Sequence, residues 1–354
     1  MNPEENKAVN WPRAGTPPLT HALLRSHPED FLVAEQMPFT LDGHGEHLWL
    51  KIRKRGLNTD QVAKHLARIA GIQRRDVGYA GMKDRHAITV QWFSLHLAGR
   101  PDPVWQEIPE GVEIVESVRH TRKLKTGALA GNRFELVLRG CAGDRKALLA
   151  RVDAIRHEGV PNYFGEQRFG RNGENIGKAR AMFSGAINIR DRHLRGIYLS
   201  AARSFLFNEI LAERLRMQNW QVPSDGDVFL LNGRNSFFLA ESVDDTIHRR
   251  LLEHDIHLSG PLWGAGELPS RGEVAGMESA IVTRHADLAR GLEAVDLRQE
   301  RRALRVIPKE MKAEALDDQT WRIQFCLPAG CYATSVLREL AMYRDASGTF
   351  RESE

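Results

Sequence analysis

Residues 77–95 read VGYAGMKDRHAITVQWFSL, two strand-like runs around one short polar turn. The β-branched and aromatic content of Val77–Tyr79 and of Thr89–Leu95 predicts strands, and the glycine-led segment Gly81 to Arg85 between them predicts a turn. Within that turn Asp84 stands among Lys83, Arg85 and His86. Neighbouring positive charge favours an ionised carboxylate, which makes Asp84 a candidate nucleophile or base. A loop aspartate also commonly caps its own turn through the backbone. Local chemistry leaves both readings open.

Upstream, Asn58 or Thr59 as cap, Val62, Leu66 and Ile69 at helical spacing, and Gly71 as a stop predict an amphipathic helix. Downstream, Arg133–Arg139 (RFELVLR) alternates Phe134, Leu136 and Leu138 against Glu135 and Arg139, the pattern of a half-buried strand. The middle of the chain changes character. Ala201–Met217 places Phe207, Leu211 and Leu215 on one helical face, and helices are expected to dominate there. From about Gln319 strand character returns in WRIQFCL, followed by a turn at Pro328 to Gly330 and a helix over Thr334–Met342. This order predicts an α+β domain interrupted by a second, more helical one, with no internal repeat.

Composition limits the function classes. A chain of 354 residues has room for about two domains. With 42% apolar and 27% charged residues it has the balance of a globular protein. No run approaches the roughly 18 apolar residues of a membrane-spanning helix. The opening MNPEENKAVNWPRAGTPP has two glutamates and four prolines and is expected to be a loose arm, not a signal peptide. Three cysteines, Cys141, Cys326 and Cys331, with no CxxC pair, support neither a disulfide framework nor a structural zinc site. A reducing, cytoplasmic home is expected. Lys plus Arg exceed Asp plus Glu by only 50 to 46, so the placement of charge matters more than its sum. Basic residues cluster at Lys51, Arg53, Lys54 and Arg55, at Arg68, Arg74 and Arg75, and from Arg119 to Lys125. Such clusters suit phosphates, or form a solvated surface.

Other motif matches fail. His44-Gly45-Glu46 has the H-x-E half of a nucleobase deaminase without P-C-x-x-C. Gly165–Gly170 has phosphate-loop glycine spacing, but Arg171 and Asn172 replace the required Lys and Ser or Thr. Gly264-Ala265-Gly266 follows no clear strand and opens no clear helix, which leaves two glycines as the whole case for a dinucleotide site. Asn132 and Phe134, beside the basic run, put an amide and an aromatic ring near a strand start. That pairing suits stacking and holding a single-stranded base, although a strand phenylalanine is more often core.

Taken together, the chain resembles the TruD family of tRNA pseudouridine synthases. PEDFLV (28–33), Gly45-Glu46-His47, GMKDRHA (81–87), GALAGNRF (127–134), VPNYFGEQRFG (160–170), LSAARSFLFN (199–208) and PAGCYATSVLRE (328–339) occur in that family's order. The match spans nearly all of residues 19–342.

The resemblance implies an α+β pseudouridine synthase catalytic fold, a mixed, mainly antiparallel sheet with flanking helices. This domain would be discontinuous, from 19–157 and 308–346, with an inserted α/β TRUD domain over 158–307, an N-terminal arm over 1–18 and a tail over 347–354. It implies isomerisation of uridine to pseudouridine in tRNA, with uridine 13 of the D-arm as the usual target and Asp84 as nucleophile or essential base. Phe31, Asn132, Phe134 and Tyr332 would line the uracil pocket, and Lys83 and Arg25 would supply positive charge near Asp84. Tyr332 stands where the family usually has Phe, and Arg25 where relatives often have Lys. The reaction adds and removes nothing, so no redox cofactor is needed, and the sequence offers no metal site. The expected partner is tRNA, with no membrane, no obligate protein partner, and a monomer. A catalytically idle RNA-binding or folding factor on the same scaffold is the alternative.

Overall fold

The computed structural model describes residues 11–240 and 242–347. Its larger sheet has ten strands. Seven lie side by side in the order Lys309–Ala315, Trp321–Pro328, Gly131–Ala142, Phe31–Gln36, Ile88–His96, His47–Lys54 and Val112–His120. His21–Leu24 joins this sheet beside Gly131–Ala142 and carries Met342–Asp345 on its other edge, while Val77–Tyr79 pairs with Ile88–His96. Pairing is antiparallel except between Phe31–Gln36 and Ile88–His96 and between His21–Leu24 and Met342–Asp345.

Register decides which side chains share a face, because successive residues of a strand point to opposite sides. Lys54 lies opposite Thr89, Thr89 opposite Val33, Val33 opposite Phe134 and Phe134 opposite Phe325, one row across five strands. In the next row Glu35 faces Asn132 and Asn132 faces Leu327. At one end of this face lies helix Thr59–Ile69, which buries Val62, Ala63 and Leu66 against Leu48, Leu50, Ile52, Phe93 and Leu95. Asn58 caps it, accepting from Gln61 N at 2.9 Å while Gln61 reaches back to Asn58 N. At the other end helices Arg145–Glu158 and Ala333–Leu340 bury Leu148, Val152, Val336 and Leu337 with Phe31, Phe134, Ile323 and Phe325. Each such side chain contributes about 1.5–3 kcal/mol of apolar burial.

Residues 162–304 build a second unit with its own core. A four-stranded sheet, in the order Phe237–Leu239, Val228–Leu231, Ile256–Leu262, Glu300–Ala303, packs with helices Glu174–Phe183, Arg192–Arg216, Asp245–Leu252, Gly272–Arg284 and Ala286–Ala294. Arg192–Arg216 is longer than the stretch from Ala201 expected from its apolar face, because Asp191 caps it through the main-chain nitrogens of His193 and Leu194. The chain enters and leaves this unit through two paired strands, Val160–Pro161 and Arg305–Val306.

The expected loose arm lies outside the described residues as far as Asn10. From Trp11 onward the chain is anchored. Trp11 is 5% exposed, its rings sit 5.7 Å from Tyr163 and 5.4 Å from Phe169, and its Nε1 donates to Glu209 at 2.7 Å. Apolar burial and a satisfied indole N–H outweigh the proline-rich composition that suggested a free arm. Among the described residues no helix is long and apolar enough to cross a membrane.

Candidate active site

Three contacts fix the main chain of the turn 81–86 and a fourth ties down a side chain, that of Arg85. Gln91 Nε2 donates to Gly81 O at 2.6 Å, Lys83 N to Thr59 Oγ1 at 2.9 Å, Lys54 Nζ to Asp84 O at 3.0 Å, and Arg85 Nε to Gly56 O at 3.0 Å. Sheet, helix start and preceding loop thus all grip the segment. Asp84 Oδ1 accepts from His86 N at 2.9 Å, the turn-capping bond that loop aspartates favour. Its other oxygen, Oδ2, accepts from Arg25 at 2.5 Å. The capping bond uses one oxygen and Arg25 holds the other, while the side chain stays 26% exposed.

Arg25 is the hub. Its guanidinium is 4% exposed, binds Asp84 with Nη1 and Asp345 with Nη2 at 2.8 Å, and lies 4.7 Å above the Phe31 ring. The planar fork reaches two carboxylates and an aromatic face at once, which a single ammonium cannot do. Arg25 adopts φ +58, a left-handed backbone that disfavours any residue with a Cβ. Such strain is characteristic of functional sites.

From Arg25 the ring contacts continue to Phe31, to Phe134 at 6.4 Å edge-on, and to Phe325 at 5.4 Å. Phe31 and Phe134 are 7% and 6% exposed, so both are core, and Phe31 is linked to Asp84 through Arg25. Asn132 shares that face, and among the described residues its buried Oδ1 has no hydrogen-bond partner, nor has Thr89 Oγ1 one row away. Buried polar atoms are nearly always paired. Two orphans on the face that carries Asp84 leave hydrogen-bonding capacity for a polar ligand.

Lys83 and Tyr332 are engaged elsewhere. Lys83 turns to Glu35, with Nζ 2.6 Å from Oε1 of a carboxylate whose side chain is 0% exposed. Burial pushes the Glu35 carboxyl above its usual range, against the pull of Lys83. Tyr332 packs at 6.0 Å from Phe164 of the inserted unit, and its hydroxyl accepts from Arg168 at 2.6 and 2.9 Å. Arg168 also donates to Ser200 Oγ at 2.9 Å. The hydroxyl that sets this residue apart from a phenylalanine therefore has a partner, and it links the catalytic-fold helix Ala333–Leu340 to the insertion.

The basic cluster at 51–55 is corrected at one position. Lys54 is 1% exposed and cannot be a surface phosphate ligand, because its strand position turns it into the sheet face beneath Asp84. Arg53 and Arg55 remain exposed near acidic neighbours, Glu113 and Glu29. Glu35, Asp345 and Arg168 are absent from the residues singled out by sequence, and Lys54 is there only as a member of a surface cluster. Their roles depend on register and tertiary contact, and the lone acid in the apolar run FLVAEQ was the one visible clue.

A family model described as tRNA pseudouridine synthase D (TruD) matches residues 15–179 and 174–340. A tRNA pseudouridine synthase D from Nitrosococcus oceani is 47% identical over 339 residues, covering 94% of this chain and 94% of its own. Another from Hydrogenovibrio crunogenus is 49% identical over 325 residues, covering 91% and 93%. Among solved structures, a protein from Methanosarcina mazei assigned to the same family superposes with TM-score 0.70 at 20% identity, covering 95% of this chain and 97% of that one, a likeness of fold.

Proposed function

The chain belongs to the tRNA pseudouridine synthase D family, and from that premise we propose that it isomerises uridine to pseudouridine in tRNA, at uridine 13 of the D-arm, with Asp84 as the reactive carboxylate. The observation that carries this reading is the Asp84 carboxylate itself, partly open to solvent, oriented by Arg25 and linked through it to the rings of Phe31 and Phe134.

The reaction breaks the bond from C1′ to N1, turns the freed uracil, and joins C1′ to C5, whose proton is then lost while N1, left with the electron pair of the broken bond, takes one up. Asp84 acts as nucleophile or as essential base in this sequence. Arg25 aims the carboxylate, and the His86 N–H holds its second oxygen. In this reading Asn132 Oδ1, which has no partner among the described residues, accepts from the uracil N3–H. Phe31 and Phe134 supply the apolar surface under the turning base, with Tyr332 at the boundary to the insertion. Extracting a uridine from a folded arm costs about a few kcal/mol, which stacking and phosphate contacts must offset. Exposed Arg122, Lys123 and Lys125 suit those phosphates.

The test is Asp84→Asn, assayed by tritium release from tRNA containing 5-tritiated uridine, together with tRNA binding. Binding is expected to persist while release disappears. Release at the parent rate would remove Asp84 from the chemistry. Mapping pseudouridine in total tRNA with and without the protein tests position 13.

A further inference from the structure

Lys54 has no part in the reading above, yet it lies under the turn that carries Asp84. Its Nζ donates to the main-chain oxygens of Leu57 at 2.8 Å and of Asp84 at 3.0 Å. At 1% exposure it is among the largest fully buried side chains of the protein. Both of its hydrogen-bond partners are carbonyls, and the buried carboxylate nearby, Glu35, is already taken by Lys83. A methionine would fill much the same volume without the cost of a desolvated charge. Costly buried charge concentrates where a reaction uses it.

We propose that Lys54 is a positioning residue for the isomerisation, a buried ammonium that ties the Asp84 main chain to the end of a rigid strand and holds positive charge beneath the carboxylate. This rests on Asp84 being the reactive group. The charged groups facing Lys54 are Asp84 and Lys83 from the turn and Glu35 from the strand beyond Ile88–His96, while Thr89 opposite it is neutral. Lys83 pairs with Glu35 and Asp84 with Arg25, and of the two carboxylates only Asp84 lies on the segment whose main chain Lys54 binds.

Burial pushes the Lys54 pKa down to about 8, with Asp84 opposing the fall. An uncharged amine keeps two N–H donors, enough for both carbonyls. Raising the pH through about 8 therefore removes the charge and leaves the turn in place. The protonated form is the active one, so kcat falls as pH rises through that value.

The experiment measures kcat and KM for tritium release from about pH 6 to pH 10 in the parent, Lys54→Arg, Lys54→Met and, as a control, Asp84→Asn. The parent is expected to lose kcat above about pH 8. Lys54→Arg, charged throughout, is expected to lack that limb until the N3 proton of uridine is itself lost. In Lys54→Met kcat should drop about tenfold, equivalent to about 1.4 kcal/mol, with no limb near 8 and an unchanged KM, since Lys54 is too buried to touch RNA. A limb that stays in place in Lys54→Arg overturns the proposal, as does a parent with no limb near 8. Should Lys54→Met fail to fold by thermal melting, the comparison of parent with Lys54→Arg decides alone. Tritium release by Asp84→Asn would sink the reading of Asp84, independently of where the limb lies.

Discussion

Replacing Arg25 by alanine tests how the site is held together. Two carboxylates lose their partner, and they differ in exposure: Asp84 is 26% exposed and Asp345 6%. Breaking a buried ion pair by removing one partner costs about 3–5 kcal/mol. The lower end applies here, because Asp345 also accepts from Ser347 N at 3.0 Å and Oγ at 2.7 Å, and Asp84 regains water. Loss of the guanidinium over Phe31 adds about 1 kcal/mol. The sum is about 4 kcal/mol. With an unfolding entropy of roughly 2.1 cal/mol/K per residue, a chain of 354 residues should melt about 5 °C lower.

Activity should suffer more than stability, because the freed Asp84 carboxylate loses its aim, and kcat for tritium release is expected to fall at least about 100-fold. Two companion variants separate the contributions. Arg25→Lys keeps a cation at Asp84 and gives up the second arm, so it should retain kcat within about tenfold while still melting lower. Arg25→Gly removes the left-handed strain at φ +58 and should be more stable than Arg25→Ala by about 1 kcal/mol. An Arg25→Ala protein that melts within about 1 °C of the parent and turns over within about twofold would show that the bridge has no role.

Further outcomes follow from single positions. Trp11→Ala should cost about 3–5 kcal/mol in urea unfolding with kcat nearly unchanged, since Trp11 packs in the inserted unit's core rather than beside Asp84. Gly131→Ala would place a Cβ 2.2 Å from Leu327 O, so melting should fall by about 1–3 kcal/mol equivalents and activity with it, because the displaced strand carries Asn132. Burial pushes the His257 pKa down to about 4, so the native state takes up that proton later than the unfolded chain. Stability from this group is full above about pH 6.5 and is lost as pH falls towards 4. His257→Gln should flatten that acid-side loss, by about 2 kcal/mol after allowing for partial exposure, in melts run across this range.

Local pattern was informative where one element buries one face. Asn58, Val62 and Leu66 marked the first helix, and Phe134, Leu136 and Leu138 marked the strand that became Gly131–Ala142. Asp84 was legible because glycine and cations surround it within six residues. Arg25 came through the resemblance alone: sequence spacing cannot show a guanidinium reaching Asp84 and, far along the chain, Asp345. Glu35 and Lys54 were hidden for a different reason. Glu35 is the one charged residue of an apolar strand, Lys54 ends a strand that also carries Lys51 and Arg53, and only the pairing register aligns them on one face. Trp11 escaped because proline-rich neighbours dominate its local composition, while its partners Tyr163, Phe169 and Phe205 lie more than 150 residues away.

The narrow two-stranded neck at Val160–Pro161 and Arg305–Val306 brings the ends of the insertion side by side. A short turn could join them and excise some 140 residues, leaving the path of the ten-stranded sheet as it is. Such a minimal chain would still carry one indole with its neighbours gone, and a helix start whose phenol had lost its arginine. Anyone trimming the protein to the half with the ten-stranded sheet must therefore redesign positions 11, 332 and 335, where the hydroxyl of Ser335 would lose the Tyr163 carbonyl.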